Sequence, residues 1–213
     1  MNTIDFFLYL ITDRKKVPHG NLLKVIGEAT SAGIRAVQLR EKDLPSYELY
    51  HLAQEIKSIC KTCNAKFLIN DRIDIALALD TDGVHLGKRS IPLGVARRIL
   101  GTHKIIGFSA HNIEEAIYAE KEGADFITIS PIFPTEKEIF TKPKGIEEMK
   151  TVTTLIKIPV FALGGIQLGN VEEVIRAGAF GVAMITAIIS AHNVRATTIE
   201  FNKRIRKIKE KEK

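Results

Sequence analysis

A single-domain (β/α)8 TIM barrel is the fold that this 213-residue sequence predicts, and three observations predict it. Eight short apolar, β-favouring runs alternate with helix-spaced segments, their ends falling at roughly 25-residue intervals between Asp13 and Thr186, the repeat such a barrel requires. Four of the junctions echo one another: residues 32–36, 81–84, 123–126 and 177–181 each pair a helix end with a glycine and then open a strand. The composition, 45% hydrophobic and 26% charged, suits one sizeable core, and no linker or low-complexity stretch divides the chain. Strict β-α alternation argues for a parallel sheet. No G-x-G-x-x-G follows the first strand, which argues against an open dinucleotide-binding sheet.

The runs cover residues 7–13, 36–41, 66–71, 83–87, 105–110, 126–133, 159–165 and 181–186. In a barrel of this kind, ligand chemistry gathers at the C-terminal ends of the strands. The second run leads through Gln38 and Arg40 to Lys42, which alternation places on one face while Val37 and Leu39 turn to the helices. Two cations and an amide suit an anionic or phosphorylated ligand; pairing of Arg40 with Glu41 or Asp43 is the plainer alternative. The third run ends on Asn70 and Asp71. Asp71 suits a hard cation or a ligand amine, or else caps a short helix expected over 73–79. The fourth carries His85, which serves a ligand or a hydrogen bond within the rim.

The fifth run brings Ser109 and then His111 to the mouth, where Asn112 and Glu115 form a capping box for the next helix. Histidine is the usual proton shuttle near neutral pH, so His111 is the candidate acid/base. The sixth turns Thr128 and Ser130 inward and leads through Thr135 into a polar stretch, 136–144, bearing Lys137, Lys142 and Lys144. That stretch reads as a phosphate-seeking lid or as a plain solvated loop. The seventh run stops at Gly164-Gly165 and the eighth breaks after Ile185 at Thr186. Loops after strands seven and eight, with a helix N-terminus, hold phosphate in many such barrels. Bare amides at these four residues suit that task, and a tight turn is the alternative at the glycines.

Net charge is +6, from 31 basic and 25 acidic side chains. Much of the excess lies in residues 202–213, a stretch without an aromatic stacking residue, so a solvated helix end is expected rather than a nucleic-acid interface. Cys60 and Cys63 close a helical stretch instead of opening one after a strand, and no second metal-ligand pair accompanies them. They read as ordinary thiols of a reducing cytosol. The N-terminus lacks the look of a signal peptide, and no apolar run is long enough to cross a membrane, so a cytoplasmic protein without membrane contact is expected. Helix faces alone leave homo-oligomerisation open.

Taken together, Leu8-Tyr-Leu-Ile-Thr-Asp13, Val37-Gln-Leu-Arg-Glu-Lys42, Ile69-Asn-Asp-Arg72, Asp82-Gly-Val-His-Leu-Gly87, Ser130-Pro-Ile-Phe-Pro-Thr135, Gly164-Gly-Ile166 and Val182-Ala-Met-Ile-Thr-Ala187 carry a resemblance to the thiamine phosphate synthase/TenI family. It spans nearly the whole chain and implies a barrel that binds a thiazole phosphate. Two chemistries occur in that family. Synthases join a pyrimidine pyrophosphate to the thiazole phosphate with Mg²⁺ held between two aspartates. One matches Asp71; the other belongs to a Gly-Gln-Glu-Asp segment that here reads Gly87-Lys88-Arg89-Ser90. The pyrophosphate-gripping Thr-x-Thr-Lys reads Thr135-Glu-Lys137-Glu, so Lys137 matches only after a one-residue shift.

The Gly-x-Arg-Ser segment is similar to TenI-type thiazole tautomerases, which work without metal and place a histidine where His111 stands. The expectation is therefore a cofactor-free tautomerase that aromatises a thiazole carboxylate phosphate. His111 would move the proton, Arg40, Lys42 and Lys88 would face the carboxylate, and the last two strand ends would hold the phosphate. Two alternatives accompany it. One is a synthase in which Asp71 and a substrate pyrophosphate hold Mg²⁺; the other is a non-catalytic regulator that binds thiamine phosphate.

Overall fold

The computed structural model describes residues 2–135 and 142–211. Eight parallel strands close in chain order: β1 (Leu8–Ile11), β2 (Ala36–Leu39), β3 (Lys66–Asn70), β4 (Gly83–Gly87), β5 (Ile105–Ala110), β6 (Phe126–Ile129), β7 (Val160–Leu163) and β8 (Gly181–Met184). Pairing of Tyr9 with Ala183 joins β1 to β8 and seals the ring. The helices are α1 (Leu22–Ser31), α2 (Ser46–Thr62), α3 (Ile73–Ala78), α4 (Leu93–Leu100), α5 (Ile113–Lys121), α6 (Gly145–Leu155), α7 (Val171–Arg176), α8 (Thr186–Ile189) and α9 (Val194–Lys211). The expected single-domain (β/α)8 barrel is what the chain forms.

Alternation along each strand divides the core in two. Leu8, Leu10, Val37 and Leu39 face the helices in one large apolar layer. Tyr9, Ile11, Ala36, Leu68, Phe126 and Phe161 fill the inside of the ring together with Phe6. Phe126 stands edge-on to both Phe6 and Tyr9, with centroids 5.7 and 5.3 Å apart, an arrangement aromatic quadrupoles favour. Gly107 is required here: a Cβ on it would lie 2.4 Å from the Phe126 ring and 2.5 Å from His85 Nδ1.

Three of the four echoed junctions end their helices on a glycine of positive φ, Gly33, Gly123 and Gly178. The fourth does not. Asp80 takes the left-handed position after α3, and Gly83 opens β4, where a Cβ would meet the Ile105 carbonyl oxygen. What that junction shares with another is an aspartate. Asp82 accepts from the Phe67 amide and Asp125 from the Ile106 amide, at 2.9 and 2.8 Å, so each carboxylate ties a strand start to its neighbour. These ties, with the Arg97–Asp125 pair at 2.6 Å, lie at the N-terminal face, where a barrel keeps its stabilising contacts. Beside them, a cavity of about 300 Å³ is lined by the already paired Lys66–Asp82 and Lys104–Asp80.

Strand six is shorter than expected. It stops at Ile129 because Pro131, joined to Ser130 by a cis peptide, has no N–H to continue the ladder. Beyond it the chain still follows β7, through Ile132 N–H to Leu163 O and Phe133 N–H to Gly164 O. Cys60 is buried in α2, and burial pushes its thiol up to about 12, consistent with an inert structural residue. The basic C-terminal segment is a helix, as expected, but not merely a solvated one: Phe201, Ile205 and Ile208 of α9 are buried.

Candidate functional site

The C-terminal mouth begins at β2. Arg40 donates its amide to Thr12 Oγ1 at 2.9 Å, which fixes the chain just past the strand end. The plainer pairing of its guanidinium is ruled out. Glu41 and Asp43 are taken by Arg14, at 3.1 and 2.6 Å, and Lys15 adds a second contact to Asp43. The Arg14 and Lys15 cations hold the Asp43 carboxyl well below its usual range. Among the described residues Arg40 has no ion-pair partner, so its charge stays available at the mouth. Arg14 and Thr12 were not singled out in the sequence, because only the folded β1–β2 pairing brings them to the β2 loop.

Lys42 is exposed, its Nζ 3.9 Å from Asp71 Oδ2. Asp71 follows β3 with φ +61°, a left-handed conformation that aspartate tolerates better than most residues. It does not cap α3, whose N-cap is Arg72 without a side-chain cap bond. Instead, Asp71 Oδ1 accepts from the Ser90 hydroxyl, whose oxygen accepts from the Gly87 amide at 2.8 Å. The fold thus brings together the two positions, Asp71 and Ser90, that the sequence alone could only match to a pattern. Lys88 turns away to Glu115 at 3.1 Å.

Gln38 and His85 lie deeper than the rim: Gln38 is on the inward face, as alternation places it, and His85 follows its hydrogen-bonding alternative. Both are buried, and a chain of contacts runs through them: Gln38 Nε2 donates to Tyr9 Oη at 2.9 Å, Tyr9 Oη meets His85 Nδ1 at 3.3 Å, and His85 Nε2 meets Ser109 Oγ at 3.0 Å. Burial, helped by the Arg40 charge, lowers the His85 pKa to about 3, so its ring is neutral. Burial likewise pushes the Tyr9 hydroxyl up, out of any physiological titration. Ser109 is the upper end of this chain and reaches the mouth. Tyr9 escaped notice because an aromatic in a β-run reads as core.

His111 is exposed beside it. Its amide donates to Glu115 Oε2 at 2.9 Å, while Asn112 Oδ1 accepts from the Glu115 amide at 2.8 Å, a capping box shifted by one residue from the usual reciprocal pair. His111 Nδ1 lies 3.2 Å from the Ser130 carbonyl, so Nδ1–H donates there and Nε2 is the nitrogen left to take a proton.

At the far side, Leu163 pairs with Ala183, which sets Gly165 level with Ile185 two residues on. Adjacent strands run about 4.8 Å apart, so the two loop starts adjoin. Gly164 and Gly165 have φ of +95° and +66°, and a Cβ on Gly165 would lie 2.6 Å from Phe133 Cβ. The glycines form the tight turn that was the alternative, packed on the 131–134 segment. Among the described residues, the amides of Gly165, Ile166, Thr186 and Ala187 have no hydrogen-bond acceptor. Asn70 Oδ1 and Thr135 Oγ1 are likewise buried without a partner, although Asn70 Nδ2 donates to the His85 carbonyl at 3.1 Å. Asn70 ends β3 and Thr135 follows β6, whereas the third such atom, Thr198 Oγ1, lies in α9 away from the mouth. Lys137 lies outside the described residues. Lys144 is partly buried and pairs with Glu148 at 3.5 Å.

No group of three or more His, Cys, Asp or Glu side chains among the described residues is arranged to hold a metal ion. None of the described helices is long and apolar enough to cross a membrane.

Comparison with known proteins bears on this arrangement. The protein is 43% identical over 195 residues to the thiamine-phosphate synthase of Clostridium acetobutylicum, covering 92% of each chain. To that of Caldanaerobacter subterraneus subsp. tengcongensis it is 41% identical over 208 residues, 97% of each. A solved structure called thiamine phosphate pyrophosphorylase, from Pyrococcus furiosus, superposes with a TM-score of 0.87 at 37% identity over 95% of this chain and 96% of the other. These likenesses favour the synthase alternative over the tautomerase expectation. The family model described as Thiamine monophosphate synthase matches residues 8–188, from β1 into α8, and the chain belongs to the thiamine phosphate synthase/TenI family.

Proposed function

We propose that this protein is an enzyme of thiamine biosynthesis, and more specifically a thiamine-phosphate synthase. The thiazole ring nitrogen bonds to the carbon that carries the pyrophosphate on the pyrimidine substrate, the carbon–oxygen bond there breaks, and pyrophosphate leaves with the electron pair. One observation carries the reading: the mouth offers two separate anion-binding regions. Four unpaired amides at the β7 and β8 ends suit a monophosphate, while the uncommitted Arg40 guanidinium and the Lys42 ammonium, near β2 and β3, suit a pyrophosphate. Of the three cations expected to face a thiazole carboxylate, Arg40, Lys42 and Lys88, the last pairs with Glu115 instead. The names of the relatives support the same choice.

The roles follow from position. The amides of Gly165 and Thr186 hold the thiazole phosphate, with Gly164 and Ile185 shaping the turns that present them. Arg40 and Lys42 hold the leaving pyrophosphate. Asn70, Ser109 and Thr135 orient the pyrimidine through hydrogen bonds. Gln38 and His85 fix Ser109 from below. Bond formation frees no proton, because the thiazole nitrogen carries none, so His111 Nε2 serves as a hydrogen-bonding group at the mouth rather than as a base. Synthases of the family use Mg²⁺, and here the matching donor set is Asp71 with the Ser90 hydroxyl. One carboxylate, already accepting from Ser90 and set beside the Lys42 ammonium, does not fit a divalent cation by itself.

Purified protein supplied with both phosphorylated precursors, with and without Mg²⁺, is expected to form thiamine phosphate and pyrophosphate. Absence of product in both conditions, with conversion of the thiazole carboxylate tautomer instead, would return the chain to the tautomerases.

A further inference from the structure

The connection from β4 to α4 opens on a tight turn whose two central residues are both cationic. Ser90 N–H donates to the Gly87 carbonyl at 2.9 Å, and the Gly87 amide donates to Ser90 Oγ at 2.8 Å, so Lys88 and Arg89 form the tip. The turn is anchored to the mouth. Ser90 Oγ donates to Asp71 Oδ1, and Asp71 Oδ2 faces Lys42 Nζ at 3.9 Å, which ties the tip to the β3 and β2 ends. The two cations differ in what they touch. Lys88 pairs with Glu115 at 3.1 Å on the β5 side. Arg89 is exposed and has neither an ion-pair nor a hydrogen-bond partner among the described residues.

The carboxylates that this turn touches are spent: Asp71 on Ser90 and Lys42, Glu115 on Lys88 and the His111 amide. Nothing among the described residues neutralises the Arg89 guanidinium. The Gly-Gln-Glu-Asp segment of the synthases has a glutamate in its place, so the charge at this position is reversed in this chain. A leaving pyrophosphate bears more negative charge than Arg40 and Lys42 together offset, and a guanidinium offers paired N–H donors that match phosphate oxygens.

We infer that Arg89 is a third pyrophosphate-binding cation of the mouth, reaching the leaving group from the β4 side while Arg40 and Lys42 hold it from the β2 side. Its charge counts most as the carbon–oxygen bond breaks and the electron pair passes to pyrophosphate. The inference rests on the synthase reading for the identity of the anion, yet its binding test needs no turnover.

Inorganic pyrophosphate, titrated calorimetrically in the presence of EDTA, is the probe, so that protein cations alone are read. The wild type is expected to bind it, and Arg89→Gln to bind it about tenfold more weakly. Arg89→Lys, which keeps the charge without the fork, is expected to fall between them. Lys88→Gln is expected to stay within about twofold of the wild type, because that lysine is occupied by an exposed ion pair. Affinity for thiazole phosphate, held at the β7 and β8 ends, is expected to be the same in Arg89→Gln as in the wild type. In turnover, Arg89→Gln is expected to raise the KM for the pyrimidine pyrophosphate and leave that for thiazole phosphate unchanged. Equal pyrophosphate affinity of wild type and Arg89→Gln overturns the inference. So does a wild type that fails to bind pyrophosphate in EDTA, or an equal loss of thiazole phosphate binding in the variant. Thiamine phosphate formation by the wild type is scored separately: product with an unaffected Arg89→Gln sinks the inference alone, and the expected binding pattern without product sinks the synthase reading alone.

Discussion

His85 shows how one residue can serve a mouth it does not line. Its ring sits among Tyr9 and Phe126, and a glycine at 107 clears the space for it. With Gln38 donating to Tyr9, the phenol proton is free for His85 Nδ1, and the proton on Nε2 then points to Ser109. Ser109 is left with its own hydroxyl proton to donate to a ligand acceptor. The cost of this arrangement is pH dependence. The folded-state pKa is about 3 against an ordinary 6.5, so below about pH 6.5 the unfolded chain binds a proton that the folded one refuses. The stability owed to neutral His85 is complete above that pH and is lost progressively as pH falls toward 3. Between pH 7 and pH 5 the wild type is expected to lose about 2 kcal/mol more than His85→Gln. Urea unfolding of both at several pH values measures the difference, and parallel curves would refute it.

At this scale the sequence was only partly legible. It singled out Arg40 and Asp71 correctly as mouth residues but not their neighbours. Arg14 reaches Glu41 from 27 residues away, and no local pattern announces such a pairing. Strand alternation placed Gln38 on the inward face, yet it could not say that the inward face at that level is already filled by Tyr9.

Among elements, the β6 and β7 ends depend on each other. The extended segment after β6 leans on Gly164 and Gly165, and the same glycines release the amides proposed to hold phosphate. Gly165→Ala would force a left-handed conformation on a residue with a Cβ and press it against Phe133. The expected loss is roughly 2–4 kcal/mol in stability, with weaker binding of thiazole phosphate in calorimetry. Gly169, four residues on, has nothing within 4 Å of an added Cβ, so Gly169→Ala is expected to stay within about 0.5 kcal/mol of wild type. Equal behaviour of the two variants would show that the glycine pair is dispensable. At α5, removal of the Asn112 side chain is expected to cost about 1 kcal/mol, which a lower melting temperature would report. Element order and type were readable because periodicity is local. Ends were less so: apolar character carries on past Ile129, and only the missing N–H of Pro131 stops the ladder.

The whole molecule is closed by two contacts distant in sequence, the β1–β8 pairing and the packing of α9 over α1, α7 and α8. The sequence made the barrel legible because eight repeats near 25 residues leave little choice but closure. It left the role of α9 obscure, since a run of lysines and arginines hides a stripe of Val194, Phe201, Ile205 and Ile208 at helical spacing. The long basic stems also contribute: Lys209 Nζ sits 4.7 Å from the Phe7 ring centroid and 5.1 Å from that of Phe180. Burial of four such apolar side chains contributes roughly 6–12 kcal/mol at about 1.5–3 kcal/mol each, which matches the entire stability of an ordinary domain. Truncation before Val194 is therefore expected to abolish cooperative unfolding, although it touches no residue of the mouth. By contrast, neutralising the exposed Lys203 and Arg206 to Gln should leave the melting temperature nearly unchanged. Calorimetric scans of the three proteins decide the matter: a truncated chain that still melts in one sharp transition would mean that the ring of strands stands without its last helix.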